Sequence, residues 1–120
     1  MALSIKPYIE NKERIHLIGI GGVSMNSLAE LLISLGVPVS GSDRLKTDVT
    51  ARLESLGAKI SYEHKPENVE GASLVVRTAA VHDDNPEVAR AHALGIPVME
   101  RAEAWGHLMR DYDNVVCLAG

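Results

Sequence analysis

The stretch that decides the fold is RIHLIGIGGVSMNSLAELLISL, residues 14–35. Its first six residues form a mostly apolar run that ends in glycine, which predicts a buried strand over Arg14–Gly19. Apolar residues then recur at helical spacing, which predicts a helix over Ser24–Leu35. Between the strand and the helix, three glycines stand within four positions: Gly19, Gly21 and Gly22. This order predicts a βα unit whose loop allows close approach to the backbone.

The rest of the chain repeats the alternation of strand and helix. Further strands are predicted over Val37–Ser42, Ala58–Ser61, Leu74–Arg77 and Ile96–Met99. Helices are predicted from a cap at Thr47 or Asp48 to Gly57, from Asn85-Pro86-Glu87 to Gly95, and over Arg101–Asp111. Inward-facing helix residues are expected at Met25, Val49, Leu53, Leu56, Ala104, Trp105, Leu108 and Met109. The predicted fold class is α/β, a Rossmann-like doubly wound parallel sheet of about five strands with helices on both faces.

Composition limits the function classes. The chain has 120 residues, a net charge of -4 and one cysteine, Cys117. The charge argues against bulk binding to nucleic acid or to a membrane surface, and a lone cysteine forms no internal disulfide. No apolar run reaches the length of a membrane span. We therefore expect a soluble cytoplasmic domain with no nucleic-acid or membrane partner.

The glycine loop has the chemistry of an anion site. Gly19 allows a sharp turn, Gly21 removes a Cβ that would hold a ligand away, and the helix start offers free N–H groups to a diphosphate. The dinucleotide fingerprint G-x-G-x-x-G is only partly met, because its sixth position is Ser24. The alternative interpretation is a glycine-rich turn that binds nothing.

An acidic residue follows the second predicted strand. Asp43 stands 22 residues after Gly21, where dinucleotide-binding folds place a carboxylate for ribose hydroxyls. An Asp beside Ser42 is also an ordinary turn former. With the loop taken into account, nucleotide binding is the better interpretation.

Several short motifs together resemble the ATP-dependent Mur ligases of peptidoglycan synthesis. They are GIGGVSM at 19–25, SGSD at 40–43, RLESLGAKI at 52–60, DNPEV at 84–88, GIPVMERAE at 95–103 and VVCLAG at 115–120. Within the family, the resemblance is to the N-terminal domain of the member that joins L-alanine to UDP-N-acetylmuramic acid. It covers about residues 14–120. The related tripeptide-recycling ligase tends to carry a cysteine in the loop, so Gly21-Gly22 favours the alanine ligase.

The resemblance implies a substrate-binding domain that is inactive alone. Residues 1–13 would be an N-terminal extension, 14–113 the Rossmann-like UDP-sugar-binding domain, and 114–120 the truncated start of an ATP-binding central domain. Gly120 would be the first glycine of the ATP phosphate loop. The full enzyme would use ATP and Mg²⁺ to phosphorylate the muramyl carboxylate, and the L-alanine amine would then attack. No cofactor, catalytic residue or metal is expected in this fragment.

The resemblance and the predicted topology together nominate the substrate-binding residues. They are Gly19, Ile20, Gly21, Gly22, Val23, Ser24, Met25, Ser42, Asp43, His64, Thr78, Ala79, Ala80 and Arg101. His64 could contact the base or simply be exposed, and Arg101 could reach a phosphate or pair with Glu103. His16 is expected to be a tolerated strand residue, and His82, His92 and His107 share no metal-ligand spacing.

Two positions depart from the family pattern. Ser24 replaces a glycine that is usual in GIGGxGM, and Thr78-Ala79-Ala80 replaces a sequence that commonly has two serines. Two other classes of function stay open at this point. One is a regulatory module that senses NAD or an adenine nucleotide, and the other is a structural module whose glycine turn is empty.

Overall fold

Five parallel strands form one sheet in the order β3-β2-β1-β4-β5. The structure is a computed structural model that describes the backbone of residues 5–111 and the side chains of residues 5–106. The strands are β1 (Ile15–Ile18), β2 (Val39–Ser42), β3 (Lys59–Ser61), β4 (Leu74–Arg77) and β5 (Val98–Glu100). The helices are α1 (Lys6–Glu10), α2 (Val23–Ser34), α3 (Asp48–Ser55), α4 (Pro86–Ala93) and α5 (Arg101–Asp111), with a short 3₁₀ turn at Pro66–Val69. The predicted fold class is confirmed.

Helices cover both faces of the sheet. On one face, Ile15 and Leu17 of β1 belong to the larger apolar cluster, which includes residues of α1, α2, α3 and α5. On the other face, Ile18 belongs to a smaller cluster with Val75 and with Val88 of α4. Alternate residues of β1 thus serve opposite faces, as the two-residue period of a strand requires.

Local sequence signals set the helix starts. Thr47 and Thr50 form a reciprocal capping box at the start of α3. Asn85 Oδ1 accepts a hydrogen bond of 2.8 Å from the Glu87 N–H, and Pro86 occupies the first turn of α4. Both predicted caps are confirmed, and each fixes the helix directly behind a loop at the carboxyl edge of the sheet.

The first residues are not merely a polar extension. Lys6–Glu10 forms α1, and Ile5 and Ile9 are buried in the larger cluster, at 0% and 4% exposure. Pro7 lies in the first turn of α1, a position where proline is compatible with a helix. The proposed domain boundary at residue 14 stays a prediction.

Two expected core positions of α3 are wrong. Val49 is 39% exposed and Leu56 is 45% exposed, whereas Leu53 is buried. Thr50, the second member of the capping box, is buried like Leu53 and takes an inward position instead. Met25 is buried and Trp105 is partly buried, as expected. The side chains of Leu108 and Met109 lie outside the described residues, as do residues 114–120, the predicted start of a central domain. Within residues 5–111, none of the helices has the length and apolar character to cross a membrane.

Candidate functional site

A groove of about 800 Å³ opens at the carboxyl ends of the central strands. Its walls come from the loops after β1, β2, β3 and β4 and from the start of α4. The lining includes Gly19, Arg44, Tyr62, His64, Ala80 and His82. The strand order reverses direction between β1 and β4, and open α/β sheets bind their ligands at such a switch point.

The glycine loop is fastened to β2. The N–H groups of Gly19 and Ile20 both donate to the carbonyl of Ser42, at 2.8 and 3.0 Å, and the Gly22 N–H donates to the Gly19 carbonyl at 3.0 Å. Gly19 has a φ of 76°, a conformation that side-chain-bearing residues rarely adopt. The loop therefore has one defined shape, which glycine at position 19 permits.

Asp43 meets the glycine loop directly. Its Oδ2 accepts a hydrogen bond of 2.8 Å from the Gly21 N–H, and its Oδ1 accepts from the Arg44 and Leu45 N–H groups at 2.8 and 3.3 Å. A Cβ at position 21 would lie 2.8 Å from Oδ2. Glycine is needed at position 21 because of Asp43, and Asp43 acts both as a turn former and as an anchor of the loop.

The start of α2 retains free donors. The cap residue Gly22 offers no side-chain hydrogen bond, so the first N–H groups of the helix, at Val23, Ser24 and Met25, have no cap. Val23 is 87% exposed and Ser24 is also exposed. Of the residues nominated in the glycine loop, Ile20, Gly21 and Gly22 have N–H groups that already donate to partners inside the protein. The donors left without a cap are thus the three at the helix start, of which Val23 and Ser24 are exposed and Met25 is buried.

A buried polar cluster lies beneath the groove. Ser42 and Glu87 are completely buried, and Ser42 Oγ donates to Glu87 Oε1 at 3.0 Å. His16 Nε2 lies in a short contact with the same oxygen, and His64 Nδ1 lies 2.8 Å from Glu87 Oε2. Ser42, which was expected to touch a ligand, instead faces this cluster.

The cluster is built around an ionised carboxylate. Burial raises the pKa of Glu87. The hydrogen bond and charge of His16 and the hydrogen bonds of Ser42 and His64 lower it by more than burial raises it. The pKa of Glu87 therefore lies below its ordinary value. Because all three side chains can donate, Glu87 accepts hydrogen bonds from three directions. A buried carboxylate is tolerated in such surroundings.

Arg77 holds the loop after β4. Its Nη1 donates to the Val81 carbonyl at 2.9 Å and to Asp83 Oδ1 at 2.8 Å. Ala79 and Ala80 are exposed, and Ala80 lines the groove, whereas Thr78 is half-buried. This fastening shapes the groove wall opposite the glycine loop.

Of the nominated substrate-binding residues, Gly19, His64 and Ala80 line the groove, and the others do not. Arg101 begins α5, is half-buried, and is absent from the groove lining. Glu103 Oε1 accepts from the Glu100 N–H at 3.4 Å, and no salt bridge joins Glu103 to Arg101 among the described residues. Gly120 lies outside the described residues. Within residues 5–111, no group of three or more His, Cys, Asp or Glu side chains is arranged to hold a metal ion.

The sequence interpretation missed three contributors. Arg44 and Tyr62 line the groove, and Glu87 organises the cluster beneath it. Arg44 follows Asp43 directly, so its place at the strand end was available as a signal. Glu87 was recognised only as part of a helix start, because its partners His16 and His64 are 71 and 23 residues away along the chain.

The comparisons with known proteins show the Mur ligase family. The sequence profile of the Mur ligase family, catalytic domain, matches residues 14–113. The chain is 55% identical over 98 residues to a UDP-N-acetylmuramate–L-alanine ligase of Koribacter versatilis, a match that covers 82% of this chain and 21% of that protein.

Solved structures give the same likeness. The UDP-N-acetylmuramate–alanine ligase of Thermotoga maritima matches with 39% identity and a TM-score of 0.73, over 82% of this chain and 22% of that one. A murein peptide ligase of Psychrobacter arcticus matches with 28% identity and a TM-score of 0.67, over 72% of this chain and 18% of that one. The chain thus spans about a fifth of the length of these relatives.

Proposed function

This chain belongs to the Mur ligase family, and we propose that its groove binds the UDP part of UDP-N-acetylmuramic acid. The observation that carries the proposal is the uncapped start of α2, which opens beside a groove at the switch point of the sheet. Backbone N–H groups and the helix dipole favour an anion at such a helix start. A diphosphate bridging a nucleoside and a sugar is an anion of that kind.

The proposed contacts come from the start of α2 and from two parts of the groove beside it. The N–H groups of Val23, Ser24 and Met25 bind the diphosphate. Arg44 lines the groove and adds a positive charge. The nucleoside lies toward Tyr62 and His64, which provide an aromatic ring and a ring nitrogen. Asp43 contributes indirectly by fixing the loop through the Gly21 N–H.

In the whole protein, we propose, this binding serves the ligation of L-alanine to the muramyl carboxylate. ATP and Mg²⁺ would supply an activated acyl phosphate, which the amine attacks to form an amide. The described residues present no metal-holding cluster, so no step of that chemistry is assigned to them. Their contribution is to hold the UDP end of the substrate, so that binding energy far from the reacting carboxylate orients it. The cytoplasm is the proposed site of action, because ATP is available there.

Of the two candidate second substrates, L-alanine and a peptide, we propose L-alanine. The match to the L-alanine ligase of Koribacter versatilis has 55% identity, and the match to the murein peptide ligase has 28%. The groove described above handles the UDP-sugar end, which both reactions would share. The choice between them therefore rests on sequence similarity alone.

Calorimetric titration tests the proposal. The 120-residue chain is titrated with UDP-N-acetylmuramic acid, UDP and NADH in separate runs, and each bound sample is then challenged with the others. We expect binding of both uridine ligands and no displacement by NADH. Binding of NADH without any response to the uridine ligands would instead identify a nucleotide-sensing module. If none of the three ligands gives a heat of binding, the glycine loop is a turn that binds no ligand.

A further inference from the structure

The buried cluster beneath the groove holds one partly exposed member. Glu87 is 0% exposed and His16 is 1% exposed, whereas the His64 side chain is 18% exposed and lines the groove. The cluster therefore extends from the buried face of the sheet to the groove. His64 is the member that reaches the groove.

The cluster fixes which part of the His64 ring faces inward. Its Nδ1 lies 2.8 Å from Glu87 Oε2 and 3.1 Å from Ser42 Oγ, and both partners are buried. A carboxylate only accepts, so Nδ1 carries the proton. The ring edge that contains Nε2 is then the part that the groove can reach.

The carboxylate is itself held from the other side. Ser42 Oγ donates to Glu87 Oε1, and His16 Nε2 contacts the same oxygen. His16 Nδ1 lies 2.9 Å from Ser40 Oγ, so the second histidine is also tied to β2. Glu87 cannot turn away from His64 without leaving these partners unsatisfied, which would be costly in a buried site.

We propose that Glu87 is a positioning residue for His64: it holds the Nδ1–H tautomer and directs Nε2 into the groove as a hydrogen-bond acceptor for the nucleoside. This inference rests on the proposed binding of a uridine nucleotide. The groups that such an acceptor recognises are the N–H of a uracil ring and the hydroxyls of a ribose. A carboxylate behind a histidine fixes tautomer and ring direction in the same way at many metal sites.

The chemistry of the cluster supports orientation rather than stability as its purpose. An aliphatic side chain at position 87 would avoid the penalty of burying a charge. A buried carboxylate with several donors provides what an aliphatic residue cannot, a fixed direction for the histidine ring.

The first arm of the test observes the tautomer in the wild-type chain without ligand. Long-range ¹H–¹⁵N spectra of the imidazole nitrogens are recorded at about pH 8, where an ordinary imidazole is neutral. We expect His64 as the Nδ1–H tautomer. An Nε2–H tautomer, or a mixture of the two, would overturn the proposal whether or not UDP binds.

The second arm measures UDP affinity in Glu87→Gln, His64→Phe and the double variant, each checked for folding by amide dispersion. We expect each single change to weaken binding by about tenfold, the scale of one lost hydrogen bond, and the double variant to lose no more. Glu67→Gln is the control, because it removes the same charge from an exposed residue outside the groove. Unchanged affinity in folded Glu87→Gln, or a further loss in the double variant, would contradict positioning. A wild-type chain that ignores UDP would count against the proposed function and leave the tautomer to decide the role of Glu87.

Discussion

The two faces of the sheet use the same strands for different purposes. On the face toward α2 and α5, Ile15 and Leu17 of β1 are completely buried in a continuous apolar cluster. On the opposite face, His16 stands between them in sequence and contacts the buried carboxylate of Glu87. The first face supplies the hydrophobic stabilisation of the fold. The second gives up part of that stabilisation for a polar cluster that reaches the groove.

The apolar face is tested most strongly by Leu17→Ala. Leu17 is completely buried, so the change removes its packing and leaves a cavity. We expect a loss of about 3 kcal/mol in the free energy of unfolding, measured by urea denaturation. UDP affinity of the molecules that stay folded should change little. A stability loss well below 1 kcal/mol would show that this face does not carry the fold as described.

The polar face is tested by the pH dependence of the free energy of unfolding in Glu87→Gln. We expect the variant to lose about 2 kcal/mol of stability near neutral pH, because a hydrogen-bonded carboxylate becomes an imperfectly matched amide. The pKa of Glu87 is lower in the folded state than its ordinary value of 4.5. Its ionisation therefore stabilises the fold above that value, and this contribution is lost as the pH falls through the lower, folded-state pKa.

The measurement for this second test is urea denaturation at a series of pH values. The difference in the free energy of unfolding between wild type and Glu87→Gln should be largest near neutral pH and should decrease in acid. Glu67→Gln, at an exposed position, should show no such difference. A stability loss in Glu87→Gln that is equally large in acid would mean that the charge of Glu87 does not contribute to stability.

A smaller effect is expected where the glycine loop joins β2. In Gly21→Ala, the new Cβ would lie 2.8 Å from Asp43 Oδ2, so the carboxylate must shift and its bond to the loop weakens. We expect about 1 kcal/mol of lost stability, at the low end for overpacking, together with weaker UDP binding. Gly106→Ala is the matched control, since a Cβ there meets nothing within 4 Å. Equal UDP affinity in the two variants would contradict the role given to the loop shape.

The smallest effect is expected at Val23, which is 87% exposed at the start of α2. Val23→Ser should change stability by less than about 0.5 kcal/mol, as is usual for a surface substitution. UDP affinity should also hold, because the backbone N–H at position 23 is the proposed donor and the side chain is not. A large loss of affinity would move the contact from the backbone to the side chain.

The fold was predictable from local signals, whereas the polar cluster was not. The periodicity of residues 14–35 and the cap at Asn85 identified strand, loop and helix because each depends on neighbours in sequence. Ile5 and Ile9 were missed because their burial depends on packing into the larger apolar cluster and against α5, and a five-residue helix has little local signal. The contact of His16 with Glu87 joins residues 71 apart, and only the parallel pairing of the strands brings them together. Asp43 was singled out by its spacing from Gly21, but its hydrogen bond to the Gly21 N–H depends on the shape of the loop.

The central claim, that this groove holds the UDP end of a UDP-sugar, is tested most directly by amide NMR. The ¹⁵N-labelled chain is titrated with UDP and then with UDP-N-acetylmuramic acid. We expect chemical-shift changes centred on Val23, Ser24 and Met25, with smaller changes at Arg44, His64 and Ala80. The amide signals of α1, on the apolar face, should not shift. Shifts confined to α1, or none at all around the start of α2, would contradict UDP binding in this groove.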